Sequence, residues 1–129
     1  MFDSHCHLTD GRFDEDRAAV VIGARQAGVK RLVTIASNLE DARSAVELAS
    51  THDGVWSTAG VHPHEVSEAR EGDLEGIREL AISRPEVVAI GETGLDFFYD
   101  HAPRDLQRRW FEAQMAFAHE LELPLVIHS

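Results

Sequence analysis

Short apolar segments alternate with helical segments along the whole chain, and this alternation limits the folds that the chain can adopt. The apolar segments are rich in β-branched residues, end at charged or turn-forming residues, and occupy positions 1–8, 31–36, 55–61, 87–91 and 125–128. Between them, apolar residues recur at the spacing of amphipathic helices. The order of five strands separated by four helices predicts a parallel sheet with helical crossovers.

The four predicted helices have recognisable ends. Asp14 and Asn38 are predicted to cap the first two, because a short polar side chain can accept a hydrogen bond from a free backbone N–H. Gly28 follows the end of the first helix. Asp73 is predicted to open the third, and Pro103 the fourth, where the missing proline N–H costs nothing.

Two architectures fit this order of elements: an open doubly wound sheet and a (β/α)8 barrel. A complete barrel usually takes about 200 to 250 residues, whereas this chain has 129. The length allows a single domain over residues 1–129. An open five-stranded sheet fits this length better. The periodicity of the sequence leaves the choice open.

The charge and composition of the chain restrict its partners. A formal net charge of −11 argues against a general polyanion binder, although divalent cations bound in a site could still attract phosphate. No apolar stretch of about 18 residues is present, so we expect no membrane span. The first residues lack the features of a signal peptide, and the single cysteine, Cys6, cannot form an internal disulfide. We therefore expect a cytoplasmic protein.

The first predicted strand contains two histidines that could chelate a metal. Asp3, His5 and His7 occupy alternate positions, so their side chains are expected on one face of the strand. Phe2 and Cys6 would lie on the other face, under a helix. Two neighbouring imidazoles form a natural pair of ligands for a divalent metal. A solvent-facing pair without a ligand is the alternative.

Further histidines and a carboxylate follow the other predicted strands. His128 stands at the end of the fifth strand and Glu92 at the end of the fourth, while His62 and His64 come just after the third. In parallel α/β folds, ligands and catalytic residues gather at the carboxyl ends of the strands. The sequence therefore predicts a metal or catalytic site at this end of the sheet.

Four segments that contain these residues are specific in combination: Phe-Asp-Ser-His-Cys-His-Leu, Gly-Val-His-Pro-His, Ile-Gly-Glu-Thr-Gly-Leu-Asp-Phe and Leu-Pro-Leu-Val-Ile-His-Ser. In their order and approximate spacing they resemble the signatures of the TatD family, metal-dependent deoxyribonucleases of the amidohydrolase-like group. The resemblance implies an α/β fold, here the first five strands and four helices of a truncated TIM barrel. It also implies DNA as the substrate.

The resemblance further implies a role for each site residue. His5 and His7 would bind one divalent metal ion, His128 would bind a second, and the catalytic Glu92 would bridge the two. Such a pair of ions clamps an in-line displacement at phosphorus, with a metal-activated hydroxide as the nucleophile. Mg²⁺ is the favoured ion, and Mn²⁺ or Zn²⁺ are compatible with imidazole ligands.

Four other residues have expected supporting roles. His62 and His64 resemble family residues that meet the substrate phosphate, and Asp96 is either a substrate-site residue or an anchor for its loop. Asp3 is expected to hold the second ring nitrogen of a ligand histidine, as metal-bound imidazoles usually require. Three remaining histidines match no motif: His52, His101 and His119.

Basic and aromatic residues of the fourth helix have plain structural explanations. Three arginines at its start could contact a DNA backbone, but pairing with the many carboxylates of this acidic chain is favoured: Arg104, Arg108 and Arg109. Trp110 and Phe117 are predicted to pack in the core rather than to stack on bases.

Two other hydrolase classes compete with this interpretation. Many amidohydrolases that cleave amides or lactones bridge their metals with a carbamylated lysine on the fourth strand. The only lysine here, Lys30, precedes the second strand, so the lysine-bridged types are excluded, whereas carboxylate-bridged or mononuclear types remain open. Phosphoesterases of the PHP type also begin with two such histidines but lack the Gly-Glu-Thr-Gly-Leu-Asp segment.

A third alternative is that the 129-residue chain is inactive by itself. The resemblance implies a further histidine and a final aspartate on later barrel strands, beyond Ser129. The first and fifth strands would then be unpaired edges. We expect the chain alone to be a poor catalyst and to self-associate through these edges, with no obligate protein partner evident.

Overall fold

The computed structural model describes residues 1–129 and contains five strands and four helices. Their bounds are β1 Phe2–Cys6, α1 Arg17–Gln26, β2 Arg31–Thr34, α2 Leu39–Thr51, β3 Val55–Ala59, α3 Glu71–Ser83, β4 Val87–Gly94, α4 Arg104–Leu121 and β5 Leu125–His128. A short 3₁₀ turn, Gly11–Phe13, lies between β1 and α1. None of the helices combines the length and apolar character that crossing a bilayer requires.

The five strands form one parallel sheet in the order β1-β2-β3-β4-β5. A doubly wound sheet reverses its strand order partway and so has helices on both faces. Here every crossover leads to the next strand in the same direction. Because such crossovers are right-handed, all the helices lie on one face and the sheet curls away from them. The fold is therefore half of a TIM-type barrel, as the resemblance implied, and the open sheet favoured by length is wrong.

The hydrophobic core lies between the sheet and its helices. Trp110 of α4 and Ile77 of α3 are fully buried against Val46 of α2 and Val61, which follows β3. A smaller cluster beneath α1 is centred on Val21. Trp110 thus packs in the core as predicted, because the apolar stripe of α4 faces the sheet.

The opposite face of the sheet forms the inner wall of the half-barrel. Phe2, Val33 and Trp56 line an open cavity of about 580 Å³ there. The prediction that a helix covers Phe2 is wrong: its side chain is 57% exposed, on the same face as Val33. The register of β1 shifts between Asp3 and Cys6, so strict alternation fails across this strand. Cys6 does lie on the helix-covered face, as predicted.

Two of the predicted helix starts are confirmed. Asn38 precedes α2, and its Oδ1 accepts a hydrogen bond of 2.8 Å from the backbone N–H of Asp41. Pro103 immediately precedes α4. Gly28 lies just beyond α1 with a φ of 101°, a left-handed conformation that favours glycine.

The other two predicted starts are wrong by a few residues. The 3₁₀ turn delays α1 until Arg17, so the carboxylate of Asp14 accepts a bond from that arginine side chain at 2.6 Å. In α3, Asp73 lies in the first turn and accepts the backbone N–H of Arg70 at 3.0 Å. Both carboxylates stabilise the helix starts from a position other than the cap.

The strand limits differ from the predicted segments mainly at the carboxyl ends. β1, β2 and β3 end two residues early, whereas β4 continues to Gly94. The extension is possible because Gly91 and Gly94 lie against the backbone of β5, where a Cβ would meet a carbonyl oxygen at 2.5 and 2.4 Å. Glu92 therefore lies within β4 rather than after it.

Candidate metal centre

Glu92 occupies the middle of the candidate site. It projects from β4 at the carboxyl end of the sheet and is only 8% exposed. Its Oε2 lies 3.6 Å from Nε2 of His5, and its Oε1 lies 3.3 Å from Nδ1 of His128. No arginine or lysine pairs with it. A buried carboxylate with no arginine or lysine beside it is costly, and a cation would stabilise it.

The first group of donor atoms joins Glu92 to the two histidines of the first strand region. The ligand atoms of His5, His7 and Glu92 lie within 4.8 Å of one another. The two imidazole rings are 5.2 Å apart and nearly perpendicular, and both histidines are exposed. The structure thus brings together the pair predicted from sequence and the predicted bridging carboxylate.

A second group shares Glu92 with the first. The ligand atoms of His62, Glu92 and His128 also lie within 4.8 Å of one another. Nε2 of His62 is 3.2 Å from Nδ1 of His128. Glu92 belongs to both groups, with its Oε2 towards His5 and its Oε1 towards His128.

The hydrogen bonds of His62 define its tautomer. Its Nδ1 accepts the backbone N–H of His64 at 3.1 Å, so the proton of the neutral ring resides on Nε2. Burial lowers the pKa of His62 to about 4, and the opposing effect of Glu92 is smaller. His62 is therefore neutral near pH 7 and presents an N–H donor to the site. In the structure this N–H points to Nδ1 of His128.

Asp96 connects two of the site histidines. Its Oδ2 accepts hydrogen bonds from Nε2 of His64 at 2.7 Å and from Nε2 of His128 at 2.9 Å. Its Oδ1 accepts the backbone N–H of Tyr99 at 3.0 Å. The three bonds hold the pKa of Asp96 well below its usual range, and the bond from Tyr99 has the largest effect. With Nε2 of His128 engaged in this way, the lone pair of its Nδ1 faces Glu92.

Asp3 does not make the contact expected of it. Its Oδ1 accepts the backbone N–H of His5 at 3.1 Å and does not reach either ring nitrogen. The irregular β1 backbone brings the carboxylate to the main chain, so the predicted support of an imidazole by Asp3 is wrong. Asp96 makes that kind of contact instead, with His128.

The structure adds one histidine that sequence reasoning missed. The ring of His101 lies 4.5 Å from that of His64 and is stacked parallel to Tyr99 at 5.9 Å. A single histidine on a loop has no periodicity that could have indicated this position. His52 follows α2 and His119 lies in the last turn of α4, both at the amino ends of strands and away from the site.

Two buried glutamines of α4 were also missed. Oε1 of Gln107 accepts the backbone N–H of Asp96 at 2.8 Å, and its Nε2 donates to the backbone oxygen of the same residue at 3.2 Å. Gln114 holds both backbone groups of Val61, next to His62, at 2.8 and 3.2 Å. Their spacing of seven residues places both on the buried face of α4, and a polar pair on an apolar stripe was the available signal.

The arginines of α4 are paired, as predicted. Each contacts a carboxylate at the surface: Arg104 contacts Asp100 at 3.4 Å, Arg108 contacts Asp105 at 3.2 Å and Arg109 contacts Glu71 at 2.8 Å.

A cluster of histidines and a carboxylate lies at the carboxyl ends of parallel barrel strands, the end at which α/β-barrel enzymes have their active sites. The family model described as TatD related DNase matches residues 2–129, so the chain belongs to that family. The relatives include proteins named 3'-5' ssDNA/RNA exonuclease TatD, from Rahnella sp. (strain Y9602) at 45% identity and from Escherichia coli (strain K12) at 44%. Each match covers 99% of this chain and 49% of the relative.

The crystal structure of YJJV, a TatD homologue from Escherichia coli K12, superimposes with a TM-score of 0.92 at 30% identity. The match covers 100% of this chain and 50% of that one. The chain therefore spans about half the length of the curated relatives it matches, and these relatives confirm the family and the fold that the sequence motifs indicated.

Proposed function

We propose that this chain contributes the metal-binding half of a divalent-metal-dependent phosphodiesterase that acts on single-stranded nucleic acid. One observation supports this most strongly: the carboxylate of Glu92 lies within reach of two separate histidine groups. The substrate class comes from relatives that are named as ssDNA/RNA exonucleases. We also propose that the protein acts in the cytoplasm and that the edges of its sheet allow self-association.

The donor set of the site fits two divalent cations. His5 and His7 would hold one, His128 the other, and Glu92 would bridge them. When bound, such ions lower the pKa of a water and stabilise negative charge on the phosphodiester oxygens. The mixture of imidazoles and one carboxylate suits Mn²⁺ or Zn²⁺ in addition to Mg²⁺, the ion favoured for nucleases.

His62 and its neighbours are proposed to meet the substrate. The N–H on Nε2 of His62 cannot bind a cation while Nδ1 accepts the bond from His64, but it can donate to a phosphate oxygen. His64 faces the same space and is proposed to border the substrate. Asp96 is proposed to orient His64 and His128 there by accepting their N–H groups.

Cleavage of a single-stranded oligonucleotide labelled at its 5' end tests the proposal. The purified chain is incubated with Mg²⁺, Mn²⁺ or Zn²⁺, and with EDTA as the metal-free control. Because the chain alone is expected to be a poor catalyst, we expect slow metal-dependent shortening that Glu92→Gln abolishes. Glu79→Gln removes an exposed carboxylate of α3 without a partner and should not affect it. An equal rate for Glu92→Gln and the unaltered chain would contradict the proposal, and absence of any cleavage would favour the inactive alternative.

A further inference from the structure

Two neighbouring aromatic residues beside the metal centre remain without a role in the proposed chemistry. On the loop after β4, Phe98 is 87% exposed and Tyr99 is 64% exposed. Their rings are 4.9 Å apart and perpendicular. Single exposed apolar residues need no explanation, but an adjacent pair bordering a candidate active site suggests a binding surface.

The loop that holds these rings is fixed to the site. The backbone N–H of Tyr99 donates to Oδ1 of Asp96, whose other oxygen accepts bonds from His64 and His128. The ring centres of Tyr99 and His64 are also 5.8 Å apart, with the ring planes nearly perpendicular, and the ring of His101 is stacked on that of Tyr99. The two aromatic rings are therefore placed relative to the metal centre by the same carboxylate that orients its histidines.

We propose that Phe98 and Tyr99 form a stacking surface for a nucleobase of a single strand whose phosphate reaches the metal centre. This inference rests on the proposed function and adds a base-binding subsite to it. Aromatic faces bind any base, because every base has a π-face, so the surface suits a nuclease without strict sequence preference. The perpendicular rings allow a base to lie on Phe98 with its edge against Tyr99.

The charges around the two rings favour stacking over phosphate contacts as the source of affinity. Arg104 and Arg108 lie over the ring of Phe97, 4.7 and 5.2 Å from its centre, but Asp100 and Asp105 pair with them. The net charge of the chain is −11. Few phosphates can then be neutralised, so we expect binding to depend only weakly on salt concentration.

Fluorescence anisotropy of a labelled oligothymidylate, measured in EDTA to prevent cleavage, tests this subsite. Phe98→Ala and Tyr99→Ala should each weaken binding by about 5- to 150-fold, the usual effect of losing one aromatic stacking partner. Phe98→Leu keeps an apolar side chain but no π-face and should lose nearly as much. Ile82→Ala removes another exposed apolar side chain, in the last turn of α3, and should bind as the unaltered chain does.

An oligonucleotide of abasic sites provides the complementary control. It should bind the unaltered chain weakly, and it should bind the alanine variants with the same weak affinity. The proposal is overturned if the alanine variants or Phe98→Leu bind oligothymidylate as tightly as the unaltered chain does. It is also overturned if the alanine substitutions weaken binding of the abasic strand as much as binding of oligothymidylate. A change in sedimentation of the free alanine variants without a change in oligonucleotide binding would assign the two rings to contact between copies.

The metal proposal and the stacking proposal fail separately. Both side chains are exposed, so their alanine variants should fold and bind Mn²⁺ like the unaltered chain in a titration. Failure of Mn²⁺ to bind any of these proteins would contradict the proposed function while leaving the anisotropy result interpretable. Normal Mn²⁺ binding with unaltered oligonucleotide affinity in the alanine variants would contradict the stacking surface alone.

Discussion

The side-chain amide of Gln107 holds both backbone groups of Asp96, accepting its N–H at 2.8 Å and donating to its carbonyl oxygen at 3.2 Å. The same Nε2 also donates to the carbonyl oxygen of Ala102 at 2.9 Å. Gln107 is almost completely buried, so no water replaces these bonds. A helix that packs on the outside of the sheet thereby fixes the loop on which Asp96 orients the site histidines.

Gln107→Met should destabilise the chain although methionine fills a similar volume. The substitution leaves the buried N–H of Asp96 and the carbonyl oxygen of Ala102 without partners, at a cost of about 1–3 kcal/mol. Urea unfolding followed by circular dichroism measures this free energy. Gln26→Met, at the exposed end of α1, is the matched control and should change it little. Equal midpoints for the two variants would show that Gln107 is not needed to hold the loop.

Gly91→Ala should disrupt the contact between β4 and β5. A Cβ at this position would lie 2.5 Å from the carbonyl oxygen of Val126, and the φ of 152° is unfavourable for alanine. We expect a loss of about 1–3 kcal/mol or more in the free energy of unfolding. Gly72→Ala, in the first turn of α3 with nothing within 4 Å of the added Cβ, should leave stability unchanged or raise it. The prediction fails if both alanines have the same effect.

Asp41 joins the loop after β1 to the loop after β2. Its Oδ1 accepts the hydroxyl of Thr9 at 2.5 Å, and its Oδ2 accepts the backbone N–H of Ser37 at 2.9 Å. Asp41→Ala should release the segment around Thr9, next to His7, and raise its amide hydrogen exchange. Glu40→Ala removes a similar charge from the same helical turn but breaks no such bond. Identical exchange in both variants would contradict the role of Asp41.

Cys6 should react slowly with thiol reagents. Burial, assisted by the nearby negative charge of Asp3, raises the pKa of its thiol to about 11. At pH 8 roughly 0.1% of such a thiol is ionised, against roughly a quarter of an unperturbed one. Alkylation by iodoacetamide at pH 8 should therefore be on the order of 100-fold slower than that of a cysteine peptide. It should accelerate as pH rises towards 11, and a rate matching the peptide's would refute the raised pKa.

Much of the fold, and the histidines and carboxylate at the centre of the site, could be predicted from local sequence. Five apolar segments and four helical patterns gave the element order, and the carboxyl ends of the strands indicated where His5, Glu92 and His128 would meet. The choice of a barrel came from family motifs, because periodicity describes each strand but does not specify how the sheet curls. The observed strand order then confirmed it.

The remaining site features depend on backbone detail that alternation does not describe. The irregular register of β1 turned Phe2 to the inner face and directed Asp3 to the main chain of His5. Gln107 and Gln114 were missed because polar helix residues are usually exposed. Their role became visible only when the loops they hold were placed against α4.

Isothermal titration of the chain with Mn²⁺ tests the central claim most directly, because the claim is that one carboxylate serves two cations. We predict two binding events for the unaltered chain and for the Glu79→Gln control, and one for His5→Ala. Losing a hydrogen-bonding partner of a metal ligand costs about 10-fold or more in affinity, and Glu92→Gln should weaken both events by at least this much, since each ion loses a charged ligand itself. Two binding events of unchanged affinity in Glu92→Gln would contradict the claim.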